Sequence, residues 1–161
     1  MHRVGQLVGH LTARVSQTEV EALHGVLPPA GWQVFEAMPV ADRRHALDVA
    51  RHLLDRGHDD PELLAAALLH DAGKGRRLRL WHRIGGVMLG AVAPRALARL
   101  ASSDEGSRRY PWYVYLNHAA LSGIQAERAG CSPRTAALIA GRIDAGHAAD
   151  LAALHAADEA N

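Results

Sequence analysis

The sequence predicts an all-α protein, a compact single-domain helical bundle, and three observations predict it. Gly and Pro punctuate the chain into segments of helical length, apolar residues recur inside those segments at three- and four-residue spacing, and the alternating Val/Ile/Thr pattern of strands is almost absent. The chain has 161 residues, 48% hydrophobic and 22% charged. That is enough for one domain with a sizeable core. Aromatic residues are only 4%, so the core has to be built from Leu, Ala and Val.

Taken in order, Ser16-Gln17-Thr18-Glu19 has the spacing of a capping box and predicts a helix that ends before Pro28-Pro29. A short helix follows, through about Met38. "ADRRHALDVARHLLDRG" places Ala46, Leu47, Val49, Ala50, Leu53 and Leu54 on a broad apolar stripe, with Gly57 set to close the helix. Asp60-Pro61 is a strong start signal, an acceptor for orphan N–H groups followed by a residue that has no N–H to satisfy. The helix it starts runs into His70-Asp71. Further helices are predicted at 79–91, 94–102, 111–129, 133–144 behind Ser132-Pro133, and 148–160. "ASSDEGSRRYP" reads as the most mobile loop.

The dipeptide His-Asp occurs twice, at 58–59 and at 70–71. The first lies between a helix-closing glycine and a helix-starting Asp-Pro, so it belongs to a solvated turn. The second follows "LLAAALL", apolar on every face and therefore a buried helix. An imidazole and a carboxylate at the end of such a helix cost several kcal/mol, roughly, unless both are satisfied. A core hydrogen bond would satisfy them. So would a divalent metal, which takes a neutral imidazole and a carboxylate in a dry pocket. The "AGKG" that follows favours the metal, because glycine admits close approach and Lys74 adds a cation.

"LLAAALLHDAGKG" resembles the central signature of the HD superfamily of metal-dependent phosphohydrolases, an all-helical family with the pattern H…HD…D. The resemblance covers residues 41–161, an HD domain, and leaves 1–40 as an N-terminal helical extension. It implies His45, His70, Asp71 and Asp158 as metal ligands, with Asp71 and Lys74 catalytic and Lys74 contacting phosphate. On the helical wheel His52 lies only slightly further round than His45, and Asp150 is hard to tell from Asp158. Arg77, in the basic run "KGRRLRLWHR", joins Lys74 as a candidate substrate contact.

His118 falls on the inward stripe Val114, His118, Leu121 and is a third candidate for binding substrate. Its segment is distantly similar to the helix of HD-GYP proteins that carries an extra histidine. The GYP signature is absent, however, and where those relatives have a His-His pair this chain reads "LIAGRIDAGH". Asp144 or His147 could replace that pair in part. The departure points to a single-metal site.

The expected function is metal-dependent hydrolysis of a phosphate ester, a nucleotide or related monoester or diester, with Mn, Mg, Fe or Ni as the divalent ion. Two alternatives stand beside it: a regulatory HD module that binds metal or nucleotide without turnover, and a helical interaction protein whose His-Asp pair is a core contact. A net charge of +1 gives no reason to expect stable nucleic-acid or membrane binding. The single cysteine, Cys131, excludes an internal disulfide, and with no signal-peptide core or membrane span the chain reads as cytoplasmic.

Overall fold

A computed structural model describes residues 15–75, 78, 80–142 and 145–161. Within them the protein is all-helical: α1 (Gln17–Ala22), α2 (Pro29–Ala37), α3 (Val40–Asp55), α4 (Pro61–Leu69), a 3₁₀ turn (Ala72–Lys74), α5 (Leu80–Val92), α6 (Pro94–Leu100), α7 (Tyr110–Arg128), α8 (Pro133–Ile139), a second 3₁₀ turn (Ala145–His147) and α9 (Ala148–Ala160). No strand occurs among the described residues.

The central element is α4, in which every residue from Leu63 to Leu69 is buried. Such a helix needs partners all round. It packs against α3 and α8, with α2, α7 and α9 completing the shell. Its start follows the expected chemistry: the Asp60 carboxylate accepts from the N–H groups of Glu62 (2.8 Å) and Leu63 (3.2 Å). The core continues through Leu47, Val49, Ala50 and Leu53 of α3, Leu138 and Ile139 of α8, and Leu154 and Ala157 of α9. Trp32 and Phe35 of α2 join the same core, edge to face, with Trp32 donating to the His24 carbonyl at 2.9 Å.

Two ion-pair systems set the direction of α9. Arg134 of α8 reaches Asp60 (2.9 Å), Glu62 (2.6 Å) and Asp150 (2.8 Å), so the start of α9 lies beside the start of α4. Asp158 near the end of α9 faces His70 at the end of α4, at 3.5 Å. The two helices therefore run parallel, in register over eight residues at this rise.

Three helices end on glycine. Gly57, Gly130 and Gly141 have φ of 83°, 86° and 64°. At Gly57 the closing bonds are Gly57 N–H to Leu54 O (2.9 Å) and His58 N–H to Leu53 O (3.0 Å), the paired bonds of a Schellman cap. The same device explains where α8 departs from expectation. It stops at Ile139 rather than running to 144, because Gly141 N–H bonds Leu138 O (3.1 Å) and Arg142 N–H bonds Ala137 O (2.9 Å).

The capping box at Ser16 is likewise corrected. The helix starts there, but the Ser16 side chain caps nothing and instead pairs with the Thr18 hydroxyl at 2.7 Å. Glu19 is drawn away to Arg44 of α3 at 2.6 Å and to Arg51. The loop 101–109 is tied down by Asp104, whose carboxylate accepts from Gly106 N–H at 2.9 Å, and by Arg109, which donates to the carbonyls of Leu100 (2.7 Å) and Arg99.

Candidate metal centre

The site forms where α3, α9 and the end of α4 meet. His45 faces it from α3, Asp158 from α9, and His70 and Asp71 stand where α4 gives way to the 3₁₀ turn. One donor atom from each of His45, His70 and Asp158 lies within 4.8 Å of the others, so the three could hold a metal ion. His45 Nε2 is 2.8 Å from Asp158 Oδ1, and the two imidazole rings stand 5.3 Å apart at 66°.

His70 has its ring fixed from behind. Its Nδ1 donates to the Ala67 carbonyl at 2.8 Å, since a carbonyl can only accept. In the neutral ring Nε2 then carries a lone pair. That atom is buried and has no hydrogen-bond partner, yet Asp158 Oδ1 lies 3.5 Å away and Asp71 Oδ1 3.6 Å away. A lone pair facing two carboxylate oxygens is repulsive unless a positive charge lies between them. A proton meets that need, and so does a divalent cation.

The pKa directions report the same field. Burial pushes His70 down, but Asp158 and Asp71 outweigh it and the imidazole ends above its ordinary value. Burial pushes Asp71 up, but His70, Lys74 and His45 pull it below the usual carboxylate range. The hydrogen bond from His45, with His70 beside it, holds Asp158 far below that range against the effect of burial. Both carboxyls are thus ionised at neutral pH.

Asp71 is 3% exposed, and its two oxygens divide their roles. Oδ1 faces His70, while Oδ2 accepts from Lys74 Nζ at 2.5 Å. The turn that carries Lys74 is pressed against α7. Gly73 N–H donates to Ser122 Oγ at 2.8 Å, and a Cβ at Gly73 would meet Ser122 N at 2.6 Å and His118 O at 2.7 Å. Gly73, the first glycine of "AGKG", therefore admits the backbone of α7. His118, one turn before Ser122, donates through Nδ1 to Tyr115 O at 2.9 Å. Burial lowers its pKa, with Lys74 acting in the same sense, so the ring is neutral beside the cluster.

The chain thus brings together His45, His70, Asp71, Lys74, His118 and Asp158. Asp150, which the sequence scarcely distinguishes from Asp158, is claimed by Arg134. Arg77 and Asp144 lie outside the described residues. Sequence reasoning missed Ser122 and the Ala67 carbonyl. Ser122 was within reach, being four residues after His118 on the same helical face, whereas a backbone acceptor leaves no signature in residue identity.

Compared with protein-family models, curated proteins and solved structures, the chain matches none.

Proposed function

We propose that the protein is a metal-dependent phosphohydrolase with an HD-type helical bundle, working on a small phosphate ester, a nucleotide or a related compound, in the cytoplasm. The observation that carries this reading is His70 Nε2, buried without a hydrogen-bond partner 3.5 Å from an Asp158 oxygen and 3.6 Å from an Asp71 oxygen, with the His45 ring beside it. A buried orphan nitrogen aimed at two carboxylates fits a divalent ion such as Mn, Mg, Fe or Ni, which when bound makes water acidic enough to attack near neutral pH and polarises a phosphoryl oxygen.

The chain's own residues then divide the work. His45, His70, Asp71 and Asp158 hold the ion, and the Ala67 carbonyl fixes the His70 ring so that Nε2 points inward. Lys74 cannot ligate a cation. Its ammonium holds a phosphoryl oxygen and compensates charge as it moves to the leaving group. Neutral His118 borders the substrate space, and Arg77 is a substrate contact on the strength of the basic run "KGRRLRLWHR" alone.

A second reading has one observation in its favour: Lys74 is engaged by Asp71, as suits a module that binds metal without turning anything over. Elemental analysis of protein prepared without chelator, followed by a phosphomonoester and phosphodiester panel with each metal supplied, tests both. Metal with turnover supports the hydrolase, and metal with no turnover on any ester supports the binding module. Failure to retain or take up metal overturns both and leaves the cluster a core contact.

A further inference from the structure

Helix α5 is built inside out. Toward the body of the protein it presents His82, Gly85 and Gly86, and the small residues are required there. A Cβ at Gly86 would meet the Tyr115 ring at 2.6 Å and one at Gly85 would meet Trp112 at 3.0 Å. His82 is buried and stacks on Trp81, with rings 3.5 Å apart. These contacts fix the rotation of the helix about its axis. Toward solvent it presents Trp81 (57% exposed), Ile84 (53%), Val87 (54%), Met88 (65%) and Val92 (86%). At about 100° per residue those five share one arc of the wheel. A contiguous exposed apolar stripe of this kind marks an interaction surface.

Charge says what covers it. The stretch from Ala72 to Ser103 contains Lys74 and six arginines and no Asp or Glu. The chain's net charge is +1, so this stretch at +7 leaves the remainder at −6. The overall balance, which gave no reason to expect a membrane, conceals a strongly cationic stretch of sequence that brackets the residues of the apolar stripe. Where α5 meets α6 an open cleft of about 810 Å³ combines apolar walls from Val92, Pro94 and Leu100 with Arg95, Arg99 and Arg109. Guanidinium beside apolar wall is the chemistry that receives a lipid phosphate and the start of its acyl chain.

We propose that α5 is an interfacial helix that seats the protein on an anionic phospholipid surface. Thirteen residues make a helix about 20 Å long, too short to span a bilayer and suited to lie in its plane with the apolar face down. Trp81 at one end of the stripe is the residue type that settles at the lipid–water boundary. A second copy is the weaker occupant, because two-fold packing through this face would set one cationic segment against another.

The test is co-sedimentation of the full chain with phosphatidylcholine vesicles and with mixed phosphatidylcholine–phosphatidylglycerol vesicles. Binding is expected only to the mixed vesicles, falling steeply as salt is raised to about 0.5 M, with a blue shift in tryptophan emission that Trp81→Phe abolishes. The exposed double substitution Ile84→Glu/Met88→Glu should lower the bound fraction about tenfold or more while the circular dichroism spectrum stays that of the parent. The proposal is overturned if the parent does not bind the mixed vesicles, if it binds both vesicle types equally, or if the double variant binds as well as the parent. A concentration-dependent dimer that the double variant dissolves, without vesicle binding, overturns it in favour of a second copy.

Discussion

The two His-Asp dipeptides, twelve residues apart, differ in what the chain has done just before them. Ahead of His58-Asp59, α3 has ended on a Schellman cap and the backbone has turned out to solvent. His58 spends its N–H on closing that cap, and Asp59 is exposed. Ahead of His70-Asp71, α4 has run buried for two turns with no glycine to stop it, and the pair emerges where α3, α7 and α9 converge. The same two side chains are solvated in one place and forced onto each other's fields in the other. Burial, set by the preceding helix, turns a common dipeptide into a candidate site.

Removing the buried pair should have the largest effect. His70→Ala and Asp71→Ala should each abolish retention of about one equivalent of divalent metal, and with it all measurable ester hydrolysis; elemental analysis beside the parent checks it, and a variant that keeps its metal breaks the contrast between the two pairs. Lys74→Ala comes next. It should keep the metal and lower turnover by roughly 10²–10³, so metal content and rate measured on one preparation separate the ligand role of Asp71 from the substrate role of Lys74.

Gly73→Ala sharpens the comparison through packing. Its Cβ has to displace the backbone of α7, which should cost about 1–3 kcal/mol in denaturant unfolding and move the turn that carries Lys74. Turnover should fall more than metal content.

The smallest effects belong around the solvated pair. His58→Ala and Asp59→Ala should leave metal content unchanged and stability within about ±0.5 kcal/mol. Asp60, the very next residue, should not be silent. Loss of its cap and of its contact with Arg134 should cost about 1 kcal/mol at pH 7. Burial raises the pKa of Asp60, but the Leu63 N–H and Arg134 outweigh it and leave it lowered. Its contribution is therefore present above the ordinary Asp value of about 3.9 and is lost as pH falls through the folded value. Thermal midpoints of Asp60→Ala and the parent should converge in acid.

Local signals made much of this legible. Asp60-Pro61 started α4, Gly57 closed α3, and the helix predicted at 148–160 is α9 as observed, because caps and apolar periodicity act over a few residues and are written in them. The same signals ordered the two His-Asp pairs. Local rules failed where a distant partner outbid them. Glu19 is taken from its capping box by arginines on α3, and α8 stops early because Gly141 takes a left-handed φ of 64° that closes the helix. Asp158 and Asp150 look alike on an Ala-rich helix, and only the parallel seating of α9 on α4 gives one to the imidazoles and the other to Arg134.

By itself, then, the sequence determined the helical class, most helix boundaries, the burial of α4 and which His-Asp pair stands at the end of a buried helix, since each depends on residue type and spacing within one segment. Tertiary structure alone decided which carboxylate of α9 meets the cluster, that Gly73 of "AGKG" admits a helix, that the Ala67 carbonyl leaves His70 Nε2 facing two acids, and that α5 turns Gly85 and Gly86 in and Ile84, Val87, Met88 and Val92 out. Those outcomes depend on how helices rotate and align against one another. That is settled by packing between residues far apart in the chain, on which local propensity is silent.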